Sequence, residues 1–317
     1  MVGHAIVLWD ESTNVVVREW VGPLAPAFET LTHLGDGAVL IGLAVVLYWF
    51  GTAEDRQTRA FVIAVGTAAL ALSVGLKGIF QIPRPMLAFS PEAYPGYTFP
   101  SAHALGGAAI YSALAVTMSW GHRYVRYLLA GAVITTVMLS RVVMGVHYLG
   151  DVLVGATLGV ALVALGTFLR REGALRPGSM FAIATVIALV ATGLGSRVFL
   201  TMTLGASFGG LVGWQYVKDR PTTDVGAALL VAGVIALAGL AGLRLLSLAV
   251  GVPVAGPDVL LLLGEAIGYG VLTALVLALP ALATRIEDEP TITRLQSMLP
   301  FRDRQFDPDE LPDAPSD

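Results

Sequence analysis

Long apolar stretches dominate the chain from residue 36 to residue 280. A helix needs about 20 apolar residues to cross the roughly 30 Å hydrocarbon core of a bilayer, and most of these stretches are that long. The connecting segments are short and contain most of the charged residues. The sequence therefore predicts nine membrane-spanning helices, at 36–52, 59–80, 101–120, 124–142, 147–169, 178–198, 201–217, 225–250 and 257–280.

The two ends of the chain have a different pattern. Residues 14–33 mix Val, Trp, Leu and Phe with charged residues, which favours an interfacial helix and leaves open a tenth, poorer span. Beyond residue 284 charges and prolines take over, which predicts a largely disordered acidic tail.

Composition places the chain in a broad class. It has 317 residues, of which 56% are hydrophobic and only 13% charged, and its mean hydropathy is +0.75. Soluble domains carry about 25% charged residues, so these values indicate an integral membrane protein. The absence of cysteine excludes disulfides, thiolate metal sites and a cysteine nucleophile. Residues 1–30 lack the apolar core of a cleavable signal peptide, so the first span is expected to direct insertion.

Basic residues occur in alternate loops, which predicts an orientation. By the positive-inside rule these loops are cytoplasmic, so the amino terminus and the loops with the polar motifs described below face outward. The carboxyl terminus is then inside. The loop residues concerned are Arg56, Arg59, Arg123, Arg126, Arg170, Arg171, Arg176, Lys218 and Arg220, and four arginines follow residue 284.

Three short motifs between residues 77 and 151 concentrate strongly polar residues in an otherwise apolar part of the chain. Charged groups at or near a bilayer are costly, so a cluster of them indicates a functional site. Two histidines, a carboxylate, three cations and a hydroxyl are what phosphoryl transfer without a metal requires. The motifs are Lys77 to Arg84-Pro85, Pro100-Ser101-Ala102-His103, and Ser140-Arg141 to His147 and Asp151.

The third motif predicts a nucleophile. His147 and Asp151 are four residues apart at the start of a predicted helix and therefore share a face. A carboxylate that accepts a ring N–H of a histidine fixes its tautomer and raises the nucleophilicity of the other nitrogen. The spacing leaves open whether Asp151 reaches His147 or His103. Arg141 ends the preceding helix, where its planar fork can bind two phosphoryl oxygens.

The first and second motifs predict an anion site. Pro100 suits a helix start, and Ser101 offers a hydroxyl beside backbone N–H groups that have no helical partner. His103, just inside this helix, is placed to reach a bound phosphate. Lys77 lies near the outer end of the preceding span, and residues 81–99 link the two helices at the rim of the site.

These motifs resemble the signature of the type 2 phosphatidic-acid phosphatase superfamily, which shares its site with vanadium haloperoxidases. That signature has a lysine, six residues and Arg-Pro, then Pro-Ser-Gly-His, then Ser-Arg, five residues, a histidine, three residues and an aspartate. Every spacing agrees, and the resemblance covers roughly residues 30–170. Ala102 stands where the family usually has glycine; because φ is negative at a helix start, we expect tolerance.

The resemblance implies a role for each motif residue. His147 would attack the phosphoryl group to form a phosphohistidine, with Asp151 holding the ring. His103 would protonate the leaving oxygen and later activate water. The resemblance implies no metal and no cofactor. The phosphoryl oxygens would be bound by Lys77, Arg84, Ser101, Ala102 and Arg141.

The resemblance also implies the fold: an all-α, polytopic membrane helix bundle. Its six-helix phosphatase core would comprise the interfacial helix and the first five spans, followed by additional C-terminal transmembrane helices. The predicted segments are 1–33 with the interfacial helix, 34–172 as the phosphatase core, 173–283 with the additional helices, and 284–317 as the tail.

The expected activity is hydrolysis of a lipid or polyprenyl (pyro)phosphate at the outer face. Two alternatives stay open: a phosphotransferase that passes the group to a lipid or sugar acceptor, and a non-catalytic transporter or scaffold. A water-soluble sugar phosphate is an alternative substrate. The expected partners are the bilayer and the lipid substrate, with no nucleic acid, and the oligomeric state is left open.

Polar residues outside the motifs have structural interpretations. Arg244 and Glu265 lie within the last two spans and predict a charge-neutralising pair, with a polar cavity as the alternative. His33 has no companion motif and is interpreted as solvated. Ser140 is expected to cap or pack its helix. Glycines four residues apart, as at Gly155 and Gly159, predict close helix packing.

Overall fold

The computed structural model describes residues 7–52, 55–86, 96–194, 199–223, 226–249 and 259–298. These residues form helices joined by turns and loops, with no β-strand among them, so the predicted all-α fold class is confirmed. The helices are α1 Glu11–Val21, α2 Ala25–Leu31, α3 Gly37–Trp49, α4 Arg56–Phe80, α5 Ala102–Thr117, α6 Arg123–Val143, α7 Leu149–Phe168, α8 Pro177–Ala191, α9 Leu200–Val217, α10 Ala227–Ala249, α11 Val259–Ala283 and α12 Pro290–Gln296.

The helices follow the predicted spans closely, but not all are long enough for a full crossing. Among the described residues four qualify by length and composition: α4, α6, α7 and Leu262–Ala283 within α11. The bent pair Glu11–Gly35 and Gly37–Trp49, at 50°, counts as a fifth if taken as one span. Apolar helices of 10–17 residues complete the set, at Ala102–Thr117, Pro177–Ala191 and Ala227–Gly239. The polytopic helical bundle is confirmed, with shorter helices where the sequence predicted full spans.

The amino-terminal segment packs against the core. Residues 14–33, predicted as one interfacial helix, form α1 and α2 joined by a 3-10 turn, and a second 3-10 turn, Thr32–Gly35, leads to α3. Asp10 begins α1 by accepting a hydrogen bond from the Ser12 N–H at 2.7 Å. Both helices contact α6. This contact brings polar residues of the segment next to the motifs.

Close packing of α7 on α5 brings two motifs together. A Cβ atom at Gly159 would overlap the Leu105 carbonyl oxygen, and one at Gly155 would lie 2.8 Å from the Ser101 carbonyl oxygen. Glycine therefore allows the helix backbones to approach, as the four-residue spacing predicted. As a result the two helix N-termini lie side by side, and the Ser101 N–H donates to the Asp151 carbonyl at 3.2 Å.

The additional C-terminal helices pack on one another and on α4. A Cβ atom at Gly209 would overlap the Gly270 carbonyl oxygen, so α9 and α11 touch through their backbones. Helix α8 packs between α4 and α9. The helices after residue 173 therefore extend the bundle rather than stand apart from it.

Pro280 interrupts the hydrogen bonds of α11, and α3 compensates for it. Proline has no N–H, so the Val276 carbonyl loses its helical donor. The Trp49 indole N–H donates to that carbonyl at 2.9 Å, and the Tyr48 hydroxyl donates to the Leu277 carbonyl at 2.7 Å. In hydrocarbon such groups must be satisfied inside the protein, so α3 supports the proline-containing turn.

Some predicted features fall outside the described residues. The Arg244 side chain lies outside them, so its pairing with Glu265 stays a prediction; Glu265 accepts a hydrogen bond from the Thr201 hydroxyl at 2.7 Å. Helix α12 lies within the predicted tail, and residues 299–317 are outside the described range.

Candidate active site

His147 lies in the loop between α6 and α7, residues 144–148, and its side chain is only 2% exposed. The loop turns at Gly145, whose φ of +65° favours glycine. Asn14 of α1 holds the loop in place, because its amide donates to the Val142 carbonyl at 2.9 Å and to the His147 carbonyl at 2.8 Å. The position of the histidine therefore depends on the amino-terminal helix.

The hydrogen bonds around His147 define its tautomer. One guanidinium nitrogen of Arg84 lies 3.2 Å from His147 Nε2. A guanidinium can only donate, so Nε2 is the acceptor and Nδ1 carries the hydrogen. The Nδ1–H then donates to the Thr98 hydroxyl oxygen at 2.9 Å, and that hydroxyl donates to Asp151 Oδ2 at 2.5 Å. The lone pair of Nε2 faces the arginine.

Asp151 supports His147 through an intermediate hydroxyl. Its Oδ2 lies 3.5 Å from His147 Nδ1, too far for a good hydrogen bond, and it also accepts from the Tyr148 N–H at 2.9 Å. Of the two alternatives left open by spacing, the carboxylate serves His147. Thr98 is the added element, since the carboxylate acts on the ring through its hydroxyl.

Three cations lie near His147. Arg84, Arg141 and Lys77 all interact electrostatically with His147. The Lys77 ammonium donates to the carbonyls of Tyr97 and Thr98. The structure therefore brings together the three cations that the sequence predicted for one site.

Arg141 is the most deeply buried of these cations, with 1% of its surface exposed. Its guanidinium donates to the Thr32 hydroxyl at 2.8 Å, so the turn before α3 holds it. Ser140 beside it donates to the Val137 carbonyl at 2.7 Å, in agreement with its predicted packing role.

Burial and these cations affect the ionisation of His147, which lies between the spanning helices and not within them. Desolvation, with the charges of Arg84 and Arg141, holds the pKa of the imidazole well below its usual range. The ring is therefore neutral near pH 7. A neutral imidazole with its Nε2 lone pair toward a cation site is suited to attack a phosphoryl group.

The second motif forms the N-terminus of α5, one residue later than predicted. The predicted span begins at residue 101, but Ser101 is the N-cap and Ala102 the first helical residue. The Ser101 hydroxyl oxygen accepts from the Ala104 N–H at 3.5 Å, and its own hydrogen can donate to an anion. The N-terminal amides of α5, including that of Ala102, are the remaining anion donors.

His103 has a partner that the sequence did not predict. Its Nε2 lies 2.8 Å from Oδ1 of Asp36, and the other oxygen of Asp36 lies 2.7 Å from Nδ1 of His33. Arg141 and Arg84 interact electrostatically with His103. The ring of His33 is exposed, in agreement with its interpretation as solvated, and it is also paired with Asp36, which the sequence did not indicate.

Sequence reasoning missed four polar residues of this site. Asp36 is the first residue of the first predicted span, 36–52, so the cost of a charge near a bilayer was a usable signal. Thr98 stands two residues before Pro100, without a spacing rule of its own. Asn14 and Thr32 come from the segment predicted to be interfacial, and nothing in their local sequence indicates contact with the third motif.

An all-helical bundle with apolar helices, a buried histidine, a carboxylate linked to it through a hydroxyl and three nearby cations is the kind of arrangement expected of a membrane phosphatase. Comparison with known proteins agrees: the sequence model of the PAP2 superfamily matches residues 58–172. Over 176 residues the chain is 32% identical to phosphatidylglycerophosphatase B of Bacillus subtilis (strain 168). The aligned residues cover 51% of this chain and 83% of that protein. No solved structure matches it significantly. The chain belongs to the PAP2 superfamily, and the predicted resemblance is confirmed.

Proposed function

We propose that this protein is an integral membrane phosphatase that hydrolyses a lipid or polyprenyl (pyro)phosphate through a phosphohistidine. The observation that carries the proposal is the tautomer of His147. Its Nδ1–H is bound through Thr98 to Asp151, while its Nε2 accepts from Arg84. The ring is thereby oriented with a nucleophilic nitrogen beside a phosphate-binding cation.

The reaction proceeds in two displacements. Nε2 of His147 attacks phosphorus, the bond from phosphorus to the leaving oxygen breaks, and His103 protonates that oxygen. Water then attacks the phosphohistidine and transfers a proton to His103, and the P–N bond breaks to release phosphate. His103 thus acts first as acid and then as base, and the site returns to its starting state.

Cations and amides stabilise the charge that builds on the transferred group. Lys77, Arg84 and Arg141 supply positive charge, while Ser101 and the N-terminal amides of α5, including that of Ala102, supply hydrogen bonds. The charge on the transferred phosphoryl group is therefore stabilised by the protein's own side chains and amides. We therefore expect activity without an added metal.

Two features support a lipid substrate at the outer face. The helices around the site expose apolar side chains, such as Leu128 of α6 at 73% and Leu153 of α7 at 41%, which suits contact with hydrocarbon. The basic loops alternate with the loops that carry the motifs. By the positive-inside rule the basic loops are cytoplasmic, so the motif-bearing loops face outward. The related phosphatidylglycerophosphatase makes phosphatidylglycerophosphate a substrate to test.

The test is phosphate release by the purified protein in detergent with EDTA. The substrates are phosphatidic acid, phosphatidylglycerophosphate, a polyprenyl pyrophosphate and a soluble sugar phosphate, with His147→Ala as the inactive control. We expect release from at least one lipid, lost in the variant, with acid-labile phosphate on His147 in quenched samples. Activity that disappears with EDTA, or that survives in the variant, would refute this mechanism.

Added acceptors separate hydrolysis from transfer. Glycerol or a lipid alcohol is included with the same substrates, and the products are resolved by chromatography. Free phosphate as the main product supports the hydrolase, whereas a new phosphorylated alcohol at its expense identifies a phosphotransferase. A reporter fused after residue 298 tests the sidedness: the proposal requires it in the cytoplasm.

A further inference from the structure

The carboxylate of Asp36 bridges two histidines at the edge of the site. Oδ1 lies 2.8 Å from Nε2 of His103, and Oδ2 lies 2.7 Å from Nδ1 of His33. His103 is 24% exposed, Asp36 37% and His33 67%, so the bridge runs from the site to the surface. Neither Asp36 nor His33 belongs to the three motifs.

The backbone fixes this contact. Gly35 packs against His103 so closely that a Cβ atom there would lie 3.1 Å from His103 Cβ and 2.6 Å from a Val137 methyl. Asp36 follows at once as the N-cap of α3, and its side chain is used for the histidines and not for capping the helix. The bridge is thus positioned by the packing of the turn before α3 against α5 and α6.

The electrostatic setting explains what a carboxylate does here. A general acid must carry a proton before the leaving group departs. Burial and the positive charges of Arg141 and Arg84 oppose a charged imidazole at His103, whereas the adjacent carboxylate of Asp36 favours it. The groups facing His103 are therefore two guanidinium ions and a single carboxylate, the latter shared with His33.

We infer that Asp36 is the positioning residue of His103: its carboxylate holds Nε2 at 2.8 Å, so that Nδ1 exchanges the proton, and its charge stabilises the ring whenever that ring carries the proton. The inference rests on the proposed function, in which His103 is the general acid. Asp36 relates to His103 as Asp151 relates to His147. The amino-terminal segment then contributes to catalysis although it precedes the matched residues 58–172.

The test compares leaving groups that differ in their need for an acid. Asp36→Asn keeps the volume and a good N-cap but removes the charge. For phosphatidic acid, a phosphomonoester whose alkoxide leaves poorly, we expect kcat to fall about 100-fold with little change in KM. For p-nitrophenyl phosphate, whose leaving oxygen needs little protonation, kcat should stay within about threefold. Asp55→Asn is the matched control, because Asp55 pairs with Arg59 at 3.0 Å away from the site.

A measurement without turnover keeps the inference separate from the proposed function. Nitrogen NMR of histidine-labelled protein, with His103 assigned by a His103→Gln variant, follows the titration of His103. We expect its midpoint to fall by about one pH unit or more in Asp36→Asn, since loss of an adjacent opposite charge shifts a pKa by that order.

Each outcome decides one of the two ideas. An equal loss of activity on both substrates, or an unchanged His103 titration, would overturn the role of Asp36. If the wild-type protein hydrolyses no substrate, the proposed function fails, and the titration alone decides whether Asp36 controls the protonation of His103. A double variant Asp36→Asn/His103→Gln that is no slower than His103→Gln alone would support action through His103.

Discussion

Thr98 offers the sharpest test of how His147, the proposed nucleophile, is held in place. Its hydroxyl is the sole described bridge between His147 Nδ1, at 2.9 Å, and Asp151 Oδ2, at 2.5 Å. Thr98→Val keeps the branched shape but removes the hydroxyl. The Nδ1–H then faces a carboxylate oxygen 3.5 Å away, and the ring must move by several tenths of an ångström to bond it directly.

The expected magnitude follows from these contacts. A hydrogen bond to a charged group contributes about 1.5–3 kcal/mol, and it counts most in the transition state, where the ring becomes positively charged as Nε2 attacks. Each 1.36 kcal/mol is a factor of ten in rate, so kcat should fall about 10- to 100-fold. Displacement of the ring away from Arg84, 3.2 Å from Nε2, acts in the same direction.

Rapid-quench measurement of phosphohistidine formation is the assay, because it isolates attack by His147. We expect this step to slow in Thr98→Val, with KM changed less than about threefold, since the phosphate-binding cations stay in place. Thr98→Ser, which keeps the hydroxyl, is the matched control and should retain nearly the wild-type rate.

Two results would refute the reasoning. A folded Thr98→Val protein with the wild-type rate would show that the hydroxyl is not part of the relay. An equal loss in Thr98→Ser would show that packing of the side chain, and not its hydroxyl, matters.

Three further predictions concern packing and the loop at residues 144–148. Trp49→Phe leaves the Val276 carbonyl without its indole donor and should reduce the free energy of unfolding by about 1–3 kcal/mol. Pro280→Ala should suppress most of that loss, because a main-chain N–H then replaces the indole; additive effects in the double variant would contradict this account. Gly209→Ala should lower the thermal unfolding midpoint in detergent, since its methyl group overlaps the facing backbone of α11, and an unchanged midpoint would contradict the close contact. Asn14→Asp replaces an amide that donates to two carbonyls by a carboxylate that can only accept. We expect kcat to fall about tenfold or more and the stability to fall as well. Wild-type activity would show that α1 does not hold the loop.

Local sequence determined the helices, the membrane class and the motif positions of the site. Apolar runs of about 20 residues form helices in a bilayer, because a helix pairs the backbone N–H and C=O groups of the segment with one another. His147 lies in the loop just before α7 and Asp151 in the first turn of that helix, so their proximity follows from their spacing of four residues. The cations were predictable because a charge in an apolar chain stands out.

The tertiary structure decided which partners complete the two histidines. The partners lie far away in sequence: Thr98 is 49 residues from His147, Asp36 is 67 from His103, and Asn14 is 133 from His147. Such contacts exist only after the helices pack, and that packing depends on backbone approaches such as Gly159 against α5. A local pattern records which face of a helix is apolar, but not which distant turn meets it.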